Sequence, residues 1–175
     1  MVKHWFVTWT TYGSWLPGDP RGFQTWRART YVPPPKRYAK SDEPTYNPAA
    51  YLDEWELAKE MCPNAVRLTR VEQQLALEAI VGVLSTLQMT PRILSIGDWH
   101  AHLVAQFYLL PIRPTVGRFK NAATNAIPNP GNRKRIWTDG CHMESLPGEE
   151  DLRNATGYVR RHAEQGALVY EWQYA

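Results

Sequence analysis

The triplet His100-Ala101-His102 is where this sequence first suggests chemistry. Residues i and i+2 of a β-strand project from the same face, so two imidazoles in that pattern can converge on one metal ion with ordinary backbone geometry. Two ligands are not a site, and a histidine pair in a strand is also compatible with incidental placement; a metal needs a third donor. Tyr158 and His162 lie four residues apart, which on a helix puts them on one face a turn from each other. A nucleophile would then stand beside a ligand. The plainer reading makes Tyr158 a half-buried aromatic and His162 a cation at a helix C-terminus. Asp98, in phase with the histidine pair if the strand continues through it, and His142 compete with His162 as third ligand.

These residues need a frame. His4-Trp5-Phe6-Val7-Thr8-Trp9-Thr10 is aromatic and β-branched and stops at Tyr12-Gly13, which predicts an internal strand. From Gly13 to Pro48 the chain is dense in Pro, Gly, Arg and aromatics, an irregular excursion. Asn47-Pro48 reads as a cap with proline at the first helical position, opening a short acidic helix that ends near Cys62-Pro63. Thr69 and Glu72 have capping-box spacing, and Leu77, Ile80, Leu84 and Leu87 recur at helical intervals behind them. Arg92 to Leu110 alternates as one or two strands with a turn at Gly97-Asp98. Val116, Phe119, Ala123 and Ala126 predict a helix ended by Pro128-Asn129-Pro130-Gly131. Leu152, Ala155, Val159 and Ala163 predict another ended at Gly166, and Ala167 to Tyr170 a last strand. The order strand, helix, strand, helix, helix, strand implies an α+β, ferredoxin-like sandwich with helices packed on a mainly antiparallel sheet. One domain spans residues 1–175, with the excursion and short helix at about 13–65.

The 175 residues carry a net charge of only +3, unevenly distributed. Lys3, Arg21, Arg27, Arg29, Lys36, Arg37 and Lys40 face Asp19 alone in the first forty residues, whereas 41–61 is acidic; Arg113, Arg118, Lys120, Arg133, Lys134 and Arg135 form a second basic region. Cations follow phosphates and aromatics stack on unpaired bases, so a phosphate backbone could follow these two regions, with Trp15, Arg21, Trp26, Arg118, Lys120, Arg133, Lys134 and Arg135 as the candidate nucleic-acid contacts. Ordinary solvated charge, with Trp15 and Trp26 pinning the excursion to a core, is the alternative. No apolar run is long enough to span a bilayer and the N-terminus lacks a signal-peptide layout, which predicts a cytoplasmic protein with no membrane partner. Cys62 and Cys141 have no metal-motif spacing and read as reduced thiols.

The opening FVTWTTYGSWLPGDPRG, the HAHLV strand, the RIW at Arg135 to Trp137 and the helix EEDLRNATGYVRRH together resemble REP-associated tyrosine transposases, relatives of the single-tyrosine insertion-sequence (IS200-like) transposases of the HUH nuclease superfamily. The resemblance spans nearly the whole chain and is weakest at 41–65. It implies that His100 and His102 are the metal pair, Tyr158 the catalytic tyrosine, and His162 the polar ligand one turn later. It further implies a metal-dependent endonuclease/transposase that cleaves and rejoins single-stranded or hairpin DNA through a 5′-phosphotyrosine, with Mg2+ or Mn2+ as cofactor, and it leaves a homodimer open. A free phenol ionises near pH ~10, so its attack on phosphate needs electrophilic help. Three departures from the pattern motivate a second reading, a domesticated protein that binds DNA hairpins without cutting: Trp99 precedes the first histidine in place of the frequent Asn, Ala101 is small, and no Asn-Pro follows the tyrosine. A third reading is a zinc hydrolase in which metal-bound water attacks and Tyr158 merely packs.

Overall fold

The strand expected at the N-terminus forms at His4–Thr10 (β1), and its alternation explains how one strand serves two layers. Val7 and Trp9 are sealed on one face, while Phe6 and Thr8 point to the other. The computed structural model describes residues 3–19, 23–24, 31–32, 51–128 and 135–173. The chain divides into two compact units, one made of Met1–Thr11 with Val66–Ala175, the other of Tyr12–Ala65.

Within Tyr12–Ala65, Phe23–Gln24 (β2) pairs antiparallel with Tyr31–Val32 (β3), and Leu52–Met61 (α1) is the acidic helix. Its end at Cys62 agrees with the expectation; the Asn47-Pro48 start lies outside the described residues. Gly18 has φ +80°, and a Cβ there would stand 2.6 Å from the Trp55 Cβ, so glycine is required.

The larger unit holds the remaining elements. Arg70–Thr86 (α2) opens with the anticipated capping box, Thr69 accepting from the Glu72 amide while the Glu72 carboxylate accepts from the Thr69 amide. Thr90–Ile96 (β4) and His100–Gln106 (β5) form the expected hairpin around Gly97-Asp98. Ile112–Ala126 (α3), Glu149–Arg161 (α4) and Leu168–Glu171 (β7) follow where periodicity placed them. Gly166, at φ +84°, ends the 3-10 turn His162–Gln165 that continues α4.

Besides the short β2–β3 pair inside the expected irregular excursion, one strand of the larger unit was not anticipated. His142–Leu146 (β6) is exposed over most of its length and shows no apolar alternation, so only its pairing with β1 defines it. All neighbouring strands run antiparallel in the order β6-β1-β5-β4-β7. The path β1-α2-β4-β5-α3-β6 with that order is the ferredoxin-like arrangement, to which α4 and β7 are added.

Register determines which residues share a face. Val7, Leu103 and Leu94 form one row and Trp9, Ala101 and Ile96 the next, all buried, with Phe119 of α3 against Trp9. The opposite face carries the rows Phe6-Val104-Ile93 and Thr8-His102-Ser95. There α4 lies across β4, β5 and β6, its Leu152, Ala155 and Val159 packing on Ile93, Val104, Leu146, Phe6 and Val169. Both histidines of the triplet therefore lie under α4. Among the described residues, no helix is long and apolar enough to cross a membrane.

Candidate active site

The site is built where the N-terminal end of β5 meets the C-terminal end of α4. His100 is the first residue of β5, and the turn before it is held from outside the hairpin: the Leu68 amide donates to the Asp98 carbonyl at 2.7 Å and the Thr11 amide to the Trp99 carbonyl at 2.8 Å. The Gly97 amide closes the turn on the His100 carbonyl at 2.8 Å. A Cβ at Gly97 would lie 3.3 Å from that oxygen and 3.5 Å from the His100 imidazole, so the missing side chain leaves the ring its room.

His162 reaches the same place from above. It follows the last residue of α4, is 4 % exposed, and its Nδ1 stands 3.0 Å from the Tyr158 carbonyl. A carbonyl only accepts, so Nδ1 carries a proton, and in the neutral ring Nε2 presents a lone pair. That Nε2 is 3.2 Å from Nε2 of His102, whose Nδ1 is in turn 2.7 Å from Thr8 Oγ1. His100 and His102 are 7 % and 4 % exposed. The donor nitrogens of His100, His102 and His162 all lie within 4.8 Å of one another. Burial, reinforced by the like charges His100 and His162 would carry, pushes the His102 pKa down to about 2, so its ring is neutral.

This donor set fits a divalent ion. Nitrogens bound at about 2.0–2.1 Å around a tetrahedral centre stand about 3.3 Å apart, close to the His102–His162 separation. Neutral imidazoles are the protonation state that ligation requires. Asp98 is exposed and ion-paired with Arg67 at 3.0 Å, and His142 lies exposed on β6; neither joins the three-histidine group.

Tyr158 stands at the rim. Its ring centroid is 4.7 Å from that of His162 and 5.5 Å from that of His102, and the residue is 44 % exposed. The histidines are thus buried while the phenol faces solvent. Phe6 supports both, stacked on His102 at 5.3 Å and edge-on to Tyr158 at 5.8 Å. All four site side chains come from one chain. Phe6 and Thr8 were missed by sequence reasoning, since only the β1–β5 register shows that they share a face with His102.

The expected DNA contacts that are described in the larger unit differ in exposure and partners. Arg118 is exposed on α3, and Arg135 is exposed and paired with Asp139. Lys120 is 9 % exposed, and its ammonium donates to the carbonyls of Thr138, at 2.8 Å, and Gly140. Burial holds its pKa below the usual lysine value. A cavity of about 380 Å³ beside α3 is lined by Arg113, Lys120, Asn121 and Arg135 among others. Trp15 is half-buried in the smaller unit, and Arg21, Trp26, Arg133 and Lys134 lie outside the described residues.

No family model matches the chain, and no curated protein matches it in sequence. Among solved structures, the fold is similar to that of a REP-associated tyrosine transposase bound to a REP hairpin, with a TM-score of 0.55, 12 % identity, and coverage of 94 % of this chain and 68 % of that one.

Proposed function

We propose that this chain is a metal-dependent endonuclease/transposase that cleaves and rejoins single-stranded DNA at hairpin-type repeats, with Tyr158 as nucleophile. The observation that carries this reading is the half-exposed phenol of Tyr158 on the rim of three buried imidazoles in the same chain. The fold it shares with a hairpin-bound tyrosine transposase supports hairpin DNA as the partner.

In this reading Tyr158 Oη attacks the scissile phosphorus. The Oη–P bond forms as the P–O3′ bond breaks, the phenolic proton is lost, and the departing 3′-oxygen takes up a proton. The product is a 5′-phosphotyrosine with a free 3′-hydroxyl, and the reverse attack by a 3′-hydroxyl rejoins the strand. A divalent ion held by His100, His102 and His162, with Mn2+ or Mg2+ as the family expectation, would polarise the phosphate and stabilise charge in the transition state. Arg118 and Arg135, with Trp15 and with Arg21, Trp26, Arg133 and Lys134 beyond the described residues, are the proposed DNA contacts. Lys120 is assigned instead to holding the 138–140 loop, because its ammonium is turned inward onto carbonyls.

The test is incubation with labelled hairpin oligonucleotides and Mn2+, followed by a denaturing gel. A label that migrates with the protein supports the tyrosine mechanism. Binding without any adduct favours the non-cleaving hairpin binder, and cleavage without an adduct favours attack by water.

A further inference from the structure

His102 must change partners when the site fills, and its surroundings contain one group able to follow that change. The His162 Nδ1–H is committed to the Tyr158 carbonyl, so in the neutral ring His162 Nε2 accepts. The 3.2 Å contact is then a bond from His102 Nε2–H, and the 2.7 Å contact on the other nitrogen is a bond from the Thr8 hydroxyl to a lone pair on His102 Nδ1. Every proton in the chain Thr8, His102, His162, Tyr158 is accounted for.

Ligation requires the reverse tautomer. His102 Nε2 must offer its lone pair to the ion, so its proton has to move to Nδ1, and Nδ1–H then needs an acceptor. The ring gains one proton as it loses one and stays neutral. A hydroxyl is both donor and acceptor and rotates freely between the roles; no other polar side chain is bonded to His102 Nδ1 among the described residues. Ser95, on the opposite flank of His102 in the register, has an Oγ buried without a hydrogen-bond partner among the described residues.

We propose that Thr8 is a positioning residue of the metal centre, whose hydroxyl donates to His102 Nδ1 in the ion-free protein and accepts from it when the ion binds. The assignment rests on the three-histidine reading of the site, and it has Thr8 bond His102 in both states, with the greater effect in the loaded one, where the Nδ1–H would otherwise lack an acceptor. Threonine also suits the strand, because its β-branched side chain packs on the pleated surface. A purely structural role would be served as well by valine.

The experiment is Zn2+ affinity of the full chain, measured by competition with a chromophoric chelator, for wild type, Thr8→Val, Thr8→Ser and Ser95→Ala, with a melting curve for each ion-free protein. Thr8→Val keeps the shape and removes the oxygen: the ion-free protein should melt modestly lower, because His102 Nδ1 loses its donor, and its affinity should be about 10–100-fold lower. Thr8→Ser keeps the oxygen and should bind as wild type despite a lower melting temperature. Ser95→Ala should also bind as wild type. Valine binding as tightly as threonine, or serine losing as much as valine, overturns the assignment of Thr8 while leaving the histidine site intact. A wild type that takes up no ion overturns the site and Thr8's role together. Nitrogen-15 shifts of the His102 ring in the wild type give a reading independent of any variant: the proton is expected on Nε2 without ion and on Nδ1 with it, and a proton on Nδ1 in both states overturns the proposal.

Discussion

His162 and Tyr158 are tied by a single bond, from the imidazole Nδ1 of one to the main-chain carbonyl of the other at 3.0 Å. The bond joins residues i and i+4 of the same helix end, so the backbone of the proposed nucleophile and the tautomer of the proposed ligand are fixed by one contact. The helix thereby delivers both groups in constant relation.

Removal of His162 or His102 should therefore abolish ion uptake. With Mn2+ at about 100 times its dissociation constant, the wild type should gain about 2.7 kcal/mol of stability, seen as a raised melting temperature. His162→Ala and His102→Ala should melt at the same temperature with and without Mn2+. An equal rise in either variant would show that the ion binds elsewhere.

Tyr158→Phe should separate binding from cutting. The residue is 44 % exposed and its ring contacts to Phe6, His102 and His162 survive the substitution, so stability should change by less than about 0.5 kcal/mol. Hairpin affinity should remain, while the covalent adduct and the 3′-hydroxyl product disappear. Wild-type cleavage by the phenylalanine variant would end the tyrosine mechanism.

The ion-free protein should lose stability in acid through His102. Its folded pKa is depressed to about 2 from an unfolded value of 6.5. As pH falls through 6.5 the unfolded chain takes up a proton that the folded chain refuses, so the stability is fully present above 6.5 and declines below it. One such proton costs about 1.4 kcal/mol per pH unit, or on the order of 2 kcal/mol by pH 5. Urea unfolding in the presence of a chelator at pH 7.5 and pH 5 measures the loss. His102→Asn should flatten the dependence, and an identical slope in that variant would assign the effect to other groups.

The parts of this molecule with strong local signals were legible in the sequence. The capping box at Thr69, the periodic α2, α3 and α4, and the aromatic β1 each carry their own pattern, and the pattern survives in the fold. β6 carries none: His142, Met143 and Glu144 are all exposed, and their strand exists because β1 has a free edge. The same division holds in the site. His100 with His102, and Tyr158 with His162, are spacings within one element and can be read directly. The meeting of those pairs, and of Thr8 and Phe6 with them, depends on register and helix docking between residues far apart in the chain, from 60 positions for His102 and His162 to 94 for Thr8 and His102, and further still for Phe6 and Tyr158. Asp98 illustrates the limit: it is in phase with the histidines only if the strand runs unbroken, and the turn at Gly97 sends it to solvent beside Arg67.

Lys120 and Arg118 sit two residues apart on α3 and should give opposite phenotypes. The Lys120 ammonium is buried and donates to the carbonyls of Thr138 and Gly140. Lys120→Met keeps most of the stem but leaves two carbonyls without that donor, which should cost about 1–3 kcal/mol. DNA affinity, measured where both proteins are folded, should fall only as far as the 138–140 loop moves. Arg118 is exposed on the helix surface, so Arg118→Ala should change stability by less than about 0.5 kcal/mol. If it meets a phosphate, hairpin affinity should drop alike for all sequences, and the slope of log affinity against log salt should become shallower by about 1. Fluorescence anisotropy at several salt concentrations, set beside urea melts, separates the two residues. An unchanged slope for Arg118→Ala removes α3 from the DNA surface, and a stable Lys120→Met with a reduced slope makes Lys120 a phosphate contact after all.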